Sequence, residues 1–492
     1  MTTTYFVFLS RIMVQIGDNI KAFFRGERSA LLDFESYHLT FLEYSAGFGV
    51  GGWIFYVLVI LLFFGLVGSI IAFFVLSLRR FALRSFSKNA SALEKEDELE
   101  KLRMELEKYK ADGEPIQSAL PSEESQNKDN IRFPRLCHID DIYAGVEDDP
   151  LESKAHISLQ EFCVNFKKYA ANKLQLFYTD EAIISFVSSL ASSRLIILEG
   201  FSGTGKTSLP YAFGEFVRTS ASICPVQPSW RERSDLLGYY NEFTSKFSES
   251  SFLVSLYEAH YSKGPRLIVL DEMNLARVEY YFAEFLSLLE NPSETDKYIS
   301  VINQPQVNDP KKFIEGRLTL CDNIYFVGTA NNDESTHTIT DKVYDRAMSM
   351  TLEERAEPFE AESIEAKPIS NESLQLAFIA AKGLHPISEE IRKSMQNLTQ
   401  FLANRLNVSF GNRLLRQFES YLPCFVECGG ELMAGIDCFV KEKILRKVWL
   451  SPAREDSEGL MHFEEFLNIE FGIESLPRSL QKIRTVLRGS AQ

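Results

Sequence analysis

The chain has 492 residues, room for about three domains, and carries a formal net charge of −16. So acidic a chain is not made for broad, non-specific adhesion to nucleic acid, although a local basic patch or a pore remains compatible with contact to DNA or RNA. Its seven cysteines form no C-x-x-C pair, which argues for reduced thiols rather than a disulfide framework or a clustered metal site.

Segment 1–43 opens with Phe6, Leu9, Met13, Ile16, Ile20 and Phe23 at spacings of 3, 4, 3, 4 and 3. This is an apolar stripe on one helix face, suited to a membrane interface or to a neighbouring helix. From Tyr44 to Leu78 there is no charged residue, and 53–76 is almost wholly apolar. A bilayer span needs about 20 such residues, so 44–78 is expected to be one transmembrane helix. Arg79, Arg80, Arg84, Lys88 and Lys95 follow it, against only Arg25 and Arg28 just before it. That bias places the C-terminal side in the cytoplasm and residues 1–43 outside, in a membrane such as the bacterial inner membrane. Segment 79–130 continues as a basic flank, a Glu/Lys-rich stretch and a polar tether. The middle part places Leu99, Leu102, Leu106 and Tyr109 at helical spacing, which fits a helical stalk or a short coiled coil.

The most informative stretch is Gly200-Phe201-Ser202-Gly203-Thr204-Gly205-Lys206-Thr207, which matches G-x-x-x-x-G-K-S/T at every fixed position. Residues 194–199 before it read as a buried strand, and Ser208 to Arg218 after it read as a helix. In that setting, glycines let backbone N–H groups approach a polyphosphate, and Ser208 opens a helix whose N-terminus favours anions. Lys206 would reach the β- and γ-phosphates, and the Thr207 hydroxyl would bind Mg²⁺. This pattern predicts nucleoside triphosphate binding.

Residues 266–272 form an apolar strand ending in Asp271 and Glu272. Asp271 is expected to hold Mg²⁺ and Glu272 to polarise the attacking water as general base. A third strand, 323–329, leads to Asn331, assigned to position that water beside the γ-phosphate. Arg346 follows about fifteen residues on, where it would reach a neighbour's γ-phosphate if subunits form a ring.

With these residues in place, the chain resembles the AAA+ ATPase superfamily, in the branch of McrB-like and MoxR-like (dynein-related) modules. The matching strings are PVQPSWRERSDLLGYYN (225–241), DEMNLARVEYYFAEFLSLLE (271–290) and FVGTANNDESTHTITDKVYDRA (326–347), together with the phosphate loop. The resemblance implies an α/β P-loop core with a parallel sheet at 131–365, an all-helical lid with C-terminal helices at 366–492, and a hexameric ring. It also implies that 291–322 is an inserted β-hairpin, with strands at 298–303 and 317–321. Helices are expected at 372–382, 387–403, 413–422 and 432–449. Within 409–413 the resemblance assigns Arg413 as a γ-phosphate contact from the lid, with Arg416 as runner-up. Arg346 stands without a second adjacent arginine, which favours ATP over GTP. The segment 229–233 with Trp230, Tyr239 and Tyr240 suits either a pore loop or local packing.

The resulting expectation is a membrane-anchored, oligomeric ATPase using ATP and Mg²⁺ to remodel a protein partner or a membrane-associated assembly. Two alternatives remain open: a nucleic-acid-engaging motor of a defence system with a separate effector, and a nucleotide-controlled scaffold.

Overall fold

A computed structural model describes residues 131–145, 157–290, 297–331, 336–352 and 356–489, together with 34–47 and positions 11, 50, 53 and 54. The chain divides into two units, Met1–Leu120 and Pro121–Gln492.

In the second unit five strands form one sheet: β1 (Leu195–Glu199), β2 (Ser222–Pro225), β3 (Arg266–Asp271), β4 (Ile324–Ala330) and β5 (Met348–Thr351). All neighbours run parallel, in the order β5-β1-β4-β3-β2. β1 and β4 are buried at every position, as continuous apolar runs covered on both faces must be. Alternate side chains go to opposite faces. Ile196, Leu198, Val269, Val327 and Met350 pack under α1 (Leu159–Leu174), α2 (Asp180–Ser192) and α3 (Ser208–Phe216). On the other face Ile197, Ile268, Leu270 and Phe326 meet Phe252, Phe282 and Phe285, with Phe252 stacked on Phe326 at 5.8 Å. Phe252 belongs to α4 (Ser251–Glu258).

The region after residue 370 is helical: α5 (Asn371–Leu384), α6 (Glu389–Arg405), α7 (Asn412–Glu427), α8 (Leu432–Phe439), α9 (Ser457–Phe471) and α10 (Pro477–Gly489). Its apolar faces join the same core cluster as α1–α3, so helical region and sheet share one interior. The helix expected over 432–449 is present, with a π-turn at Val440–Ile444 in its middle. That turn carries Lys443 inward, where its ammonium donates to the carbonyls of Tyr344, Asp345 and Ala347. Burial lowers Lys443 to about 7, and the negative charge of nearby Asp345 opposes that shift.

Between β3 and β4 the insertion is a three-stranded antiparallel sheet rather than one hairpin: Tyr298–Ser300 and Phe313–Ile314 pair on either side of Arg317–Thr319. A separate hairpin, Gly238–Asn241 with Lys246–Glu249, carries Tyr239 and Tyr240. Arg132 links these insertions: its carbonyl accepts from Phe247, and its guanidinium holds Asp309 and the Gln304 carbonyl in a largely buried pair.

The membrane placement is overturned. Among the described residues no helix is long and apolar enough to cross a membrane. Tyr44, expected to start the span, lies instead in the last turn of the helix Phe34–Ser45, which has 12 residues and contains Glu35, His38 and Glu43. Gly47 then donates back to the Tyr44 carbonyl in a turn. Twelve helical residues rise about 18 Å, short of the roughly 30 Å of a hydrocarbon core. Residues 55–78, the stalk and tether at 79–130, and the stripe at 6–23 apart from position 11 lie outside the described residues.

Candidate phosphate-binding site

The loop 200–207 leaves the C-terminal end of β1 and enters α3. Gly200 has φ +141, and a Cβ there would lie 2.3 Å from the Leu352 carbonyl oxygen. Gly205 has φ +94, and a Cβ would press on the Tyr178 ring at 3.2 Å. Both positions therefore need glycine, for conformation and for space. Tyr178 fixes the loop from outside, its hydroxyl donating to the Gly205 carbonyl at 3.2 Å. The Lys206 ammonium lies inside the loop, donating to the carbonyls of Gly200 at 2.9 Å and Phe201 at 2.6 Å.

At the root of the loop Glu199 is fully buried. Burial pushes its carboxyl above the usual range, while the paired Arg446 and the donating Tyr344 hydroxyl oppose that shift. Tyr344 and Arg446 thereby tie the strand under the loop both to the segment before Arg346 and to the helical region.

Neighbouring strands deliver the carboxylates. The Thr207 hydroxyl donates to Asp271 Oδ1 at 2.7 Å, and the Thr329 hydroxyl donates to the same oxygen at 2.8 Å. Glu272 follows in a left-handed conformation, φ +52, with its N–H donating to Thr329 Oγ1 at 2.8 Å. Asn331 Nδ2 donates to Glu272 Oε1 at 3.2 Å, while its Oδ1 is buried without a partner among the described residues. Asn274 fixes the Asn331 backbone by donating to its carbonyl at 2.8 Å.

These groups surround one cavity of about 440 Å³, lined by Ser202–Ser208, Asp271, Glu272, Thr329, Asn331, Ala356 and 175–178. Thr207 and Asp271 present hard oxygen donors. Adjacent ligands of an octahedral Mg²⁺ stand about 3 Å apart, close to the spacing of the two oxygens. No cluster of three His, Cys, Asp or Glu side chains suited to a metal occurs among the described residues. The residues present fit Mg²⁺ and a polyphosphate.

The two expected arginines stand elsewhere. Arg346 pairs with Glu290 at 2.8 Å and donates to the Lys342 carbonyl at 2.6 Å. Arg413, on the first turn of α7, pairs with the same Glu290 and donates to Asp345 at 2.9 Å. They share a separate cleft of about 330 Å³ with Arg194, Arg416 and Gln417. Arg194 Nη1 and Arg346 Nε there are buried donors without a described partner. Arg413 therefore does not line its own chain's phosphate-loop cavity, as a lid contact would require.

Thr329 and the segment 175–178 were not singled out from sequence. A strand threonine carries no signal of its own. Tyr178 lies in the stretch between two helices, upstream of every motif.

No protein-family model matches the chain, and no curated protein does. Among solved structures, a candidate ATPase from Cytophaga hutchinsonii, at 2.00 Å resolution, is similar over 60% of this chain and 82% of its own. The identity is 14% and the TM-score 0.36.

Proposed function

We propose that this chain is an ATPase of the McrB-like/MoxR-like AAA+ type, hydrolysing ATP with Mg²⁺ in an oligomeric ring and coupling the cycle to remodelling of a protein partner. One observation carries the reading: phosphate loop, Thr207, Asp271, Glu272 and Asn331 converge on one cavity from three adjacent parallel strands. Ligands of open α/β sheets bind at the C-terminal ends of the strands, where this cavity lies.

In this reading the loop N–H groups and Lys206 hold the β- and γ-phosphates. Thr207 and Asp271 would hold Mg²⁺, which supplies charge neutralisation on the phosphates. The Asn331 Oδ1 atom has the acceptor capacity to hold a water. That water's oxygen bonds to the γ-phosphorus, the bond from phosphorus to the β–γ bridging oxygen breaks, and Glu272 takes the water's proton. The products are ADP and inorganic phosphate.

Arg346 and Arg413 enter from a neighbour. Both are in one cleft outside their own nucleotide cavity, with buried unpartnered N–H donors beside them. A γ-phosphate presented by the next subunit would satisfy those donors.

The test is ATP hydrolysis by the full chain with added Mg²⁺, against Lys206→Ala. Turnover that needs Mg²⁺ and vanishes in the variant is expected. Turnover that persists without Lys206, or its absence under assembly conditions, would refute the reading.

A further inference from the structure

We infer that Thr329 is a positioning residue that sets the geometry of both Asp271 and Glu272; the inference rests on the ATPase reading above. Among the described residues its hydroxyl is the one side-chain group that hydrogen-bonds to both. Oγ1 donates to Asp271 Oδ1 and accepts the Glu272 N–H, each at 2.8 Å. Thr329 is 1% exposed, near the end of a strand buried throughout.

Three features turn this contact into a role. Glu272 is a non-glycine residue at φ +52, a conformation that costs energy and persists only where the surroundings enforce it. The Thr329 oxygen gives its N–H an acceptor in that conformation, so it sets where the Glu272 side chain starts. On Asp271, both hydroxyl donors fall on Oδ1, and no described residue bonds to Oδ2. Thr207 is the hydroxyl expected to face the metal, whereas Thr329 already directs its proton to Asp271 and its lone pair to Glu272. Thr329 therefore stays as the fixed orienter when Thr207 turns to a cation. A β-branched side chain also suits the task, because χ1 is restricted and the hydroxyl has few alternative directions.

Fixed orientation matters twice. Groups that orient a metal's ligands typically change affinity or activity by about 10–100-fold when removed. A general base must also lie within hydrogen-bond reach of the water it deprotonates.

The experiment uses the full chain with Thr329→Val, Thr329→Ala and Thr329→Ser, each checked for folding by thermal melting. Valine keeps the shape and removes the hydroxyl, alanine removes both, and serine restores the hydroxyl. Three readouts are taken: kcat and KM for ATP, binding of a fluorescent ATP analogue, and Mn²⁺ binding with ADP present, followed by electron paramagnetic resonance. In Thr329→Val and Thr329→Ala, kcat falls and the Mn²⁺ dissociation constant rises by about 10-fold or more, while KM and analogue binding change by less than about 3-fold. Thr329→Ser returns both values to near those of the parent. Parent-like kcat and Mn²⁺ affinity in the folded alanine variant would overturn the inference, as would a serine variant no better than alanine. A parent chain that hydrolyses no ATP would instead refute the ATPase reading, and the Mn²⁺ measurement would still decide the contact to Asp271.

Discussion

Two polar clusters in this molecule are built on opposite plans. Around the phosphate loop, neutral groups arrange the functional side chains: hydroxyls donate to Asp271, an amide donates to Glu272, and carbonyls accept from Lys206. Around Arg346, charges meet charges, with Glu290 accepting from both Arg346 and Arg413, and Asp345 accepting from Arg413. The first arrangement leaves the Asn331 Oδ1 atom buried and unpartnered for whatever enters. In the second, Glu290 and Asp345 occupy guanidinium nitrogens of both arginines while Arg346 Nε has no partner among the described residues, so an incoming anion must displace a carboxylate to engage both arginines. The displacement is cheap. Those pairs are about one-third exposed, and pairs at such sites contribute about 0–1 kcal/mol. Guanidinium–phosphate bonds can be bidentate and are the stronger type. On the reading proposed above, one cluster would serve a ligand of its own chain and the other would exchange partners with a neighbouring subunit.

The sharpest way to break the first half of that contrast is Glu272→Gln, which preserves size and removes the base. Turnover is expected to fall by about 10²–10⁴-fold with nucleotide binding retained, whereas Lys206→Ala loses binding itself. Single-turnover hydrolysis and equilibrium binding of labelled ATP separate the two. Hydrolysis by Glu272→Gln at the parental rate would remove Glu272 from its role.

Arg346 tests the second half. Arg346→Ala is expected to bind ATP nearly normally and to lose about 10³-fold in turnover, because the contact forms mainly in the transition state. Mixed with Lys206→Ala subunits, it should regain part of its activity: an intact loop then faces an intact Arg346 supplied by its neighbour. A mixture as inactive as either variant, in oligomers shown to be mixed, would place Arg346 in its own chain.

The contrast also explains what could be foreseen. The phosphate-loop cluster is coded locally: a glycine pattern, an apolar run ending in Asp271 and Glu272, and a strand running into Asn331. Parallel pairing then brings three strand ends together, whatever the details of the loops. Thr329 was invisible because its meaning depends on the register Leu270↔Gly328 between strands that are distant in sequence. β2 and β5 are four residues each. The sequence Met-Ser-Met-Thr has neither the length nor the β-branched density that marks a strand on its own. The helical region was legible by its apolar period. Where Arg413 would lie was not, because α7 is placed by packing on α2 and α5, including Tyr421, Phe418 and Leu414 in the shared core. The expected span is overturned because no described helix is long and apolar enough to cross a membrane, and the helix that contains Tyr44 ends at Ser45.

Arg413 itself offers a smaller and more discriminating effect. Arg413→Ala is expected to reduce turnover by about 10-fold or more, with the KM for ATP little changed. In the same mixing design with Lys206→Ala, activity should recover if Arg413 serves the neighbour, since the Lys206→Ala subunit supplies it. If Arg413 instead reached its own chain's nucleotide, no subunit in the mixture would combine an intact loop with an intact Arg413. Recovery would therefore show that Arg413 acts from this cleft on a neighbour's nucleotide, and not on its own chain's.

Glu290→Gln should have the smallest effect on stability and the most informative effect on assembly. Removing one carboxylate that is about one-third exposed from a network costs about 1 kcal/mol at most, so the melting temperature should fall by no more than about 2–4 °C. Yet Glu290 is the anion that Arg346 and Arg413 share. With a neutral amide in its place, both guanidinium groups lose their strongest competitor for phosphate. Half-maximal turnover should then be reached at several-fold lower protein concentration, while turnover at saturating concentration stays within about 3-fold of the parent. The measurement is ATPase rate against chain concentration, with oligomer mass followed in parallel. An unchanged midpoint with intact folding would show that Glu290 does not hold the arginines in reserve. A variant that loses turnover at every concentration would show that the carboxylate is needed to place Arg346. Either result would dissolve the contrast between a preorganised site and a closed one.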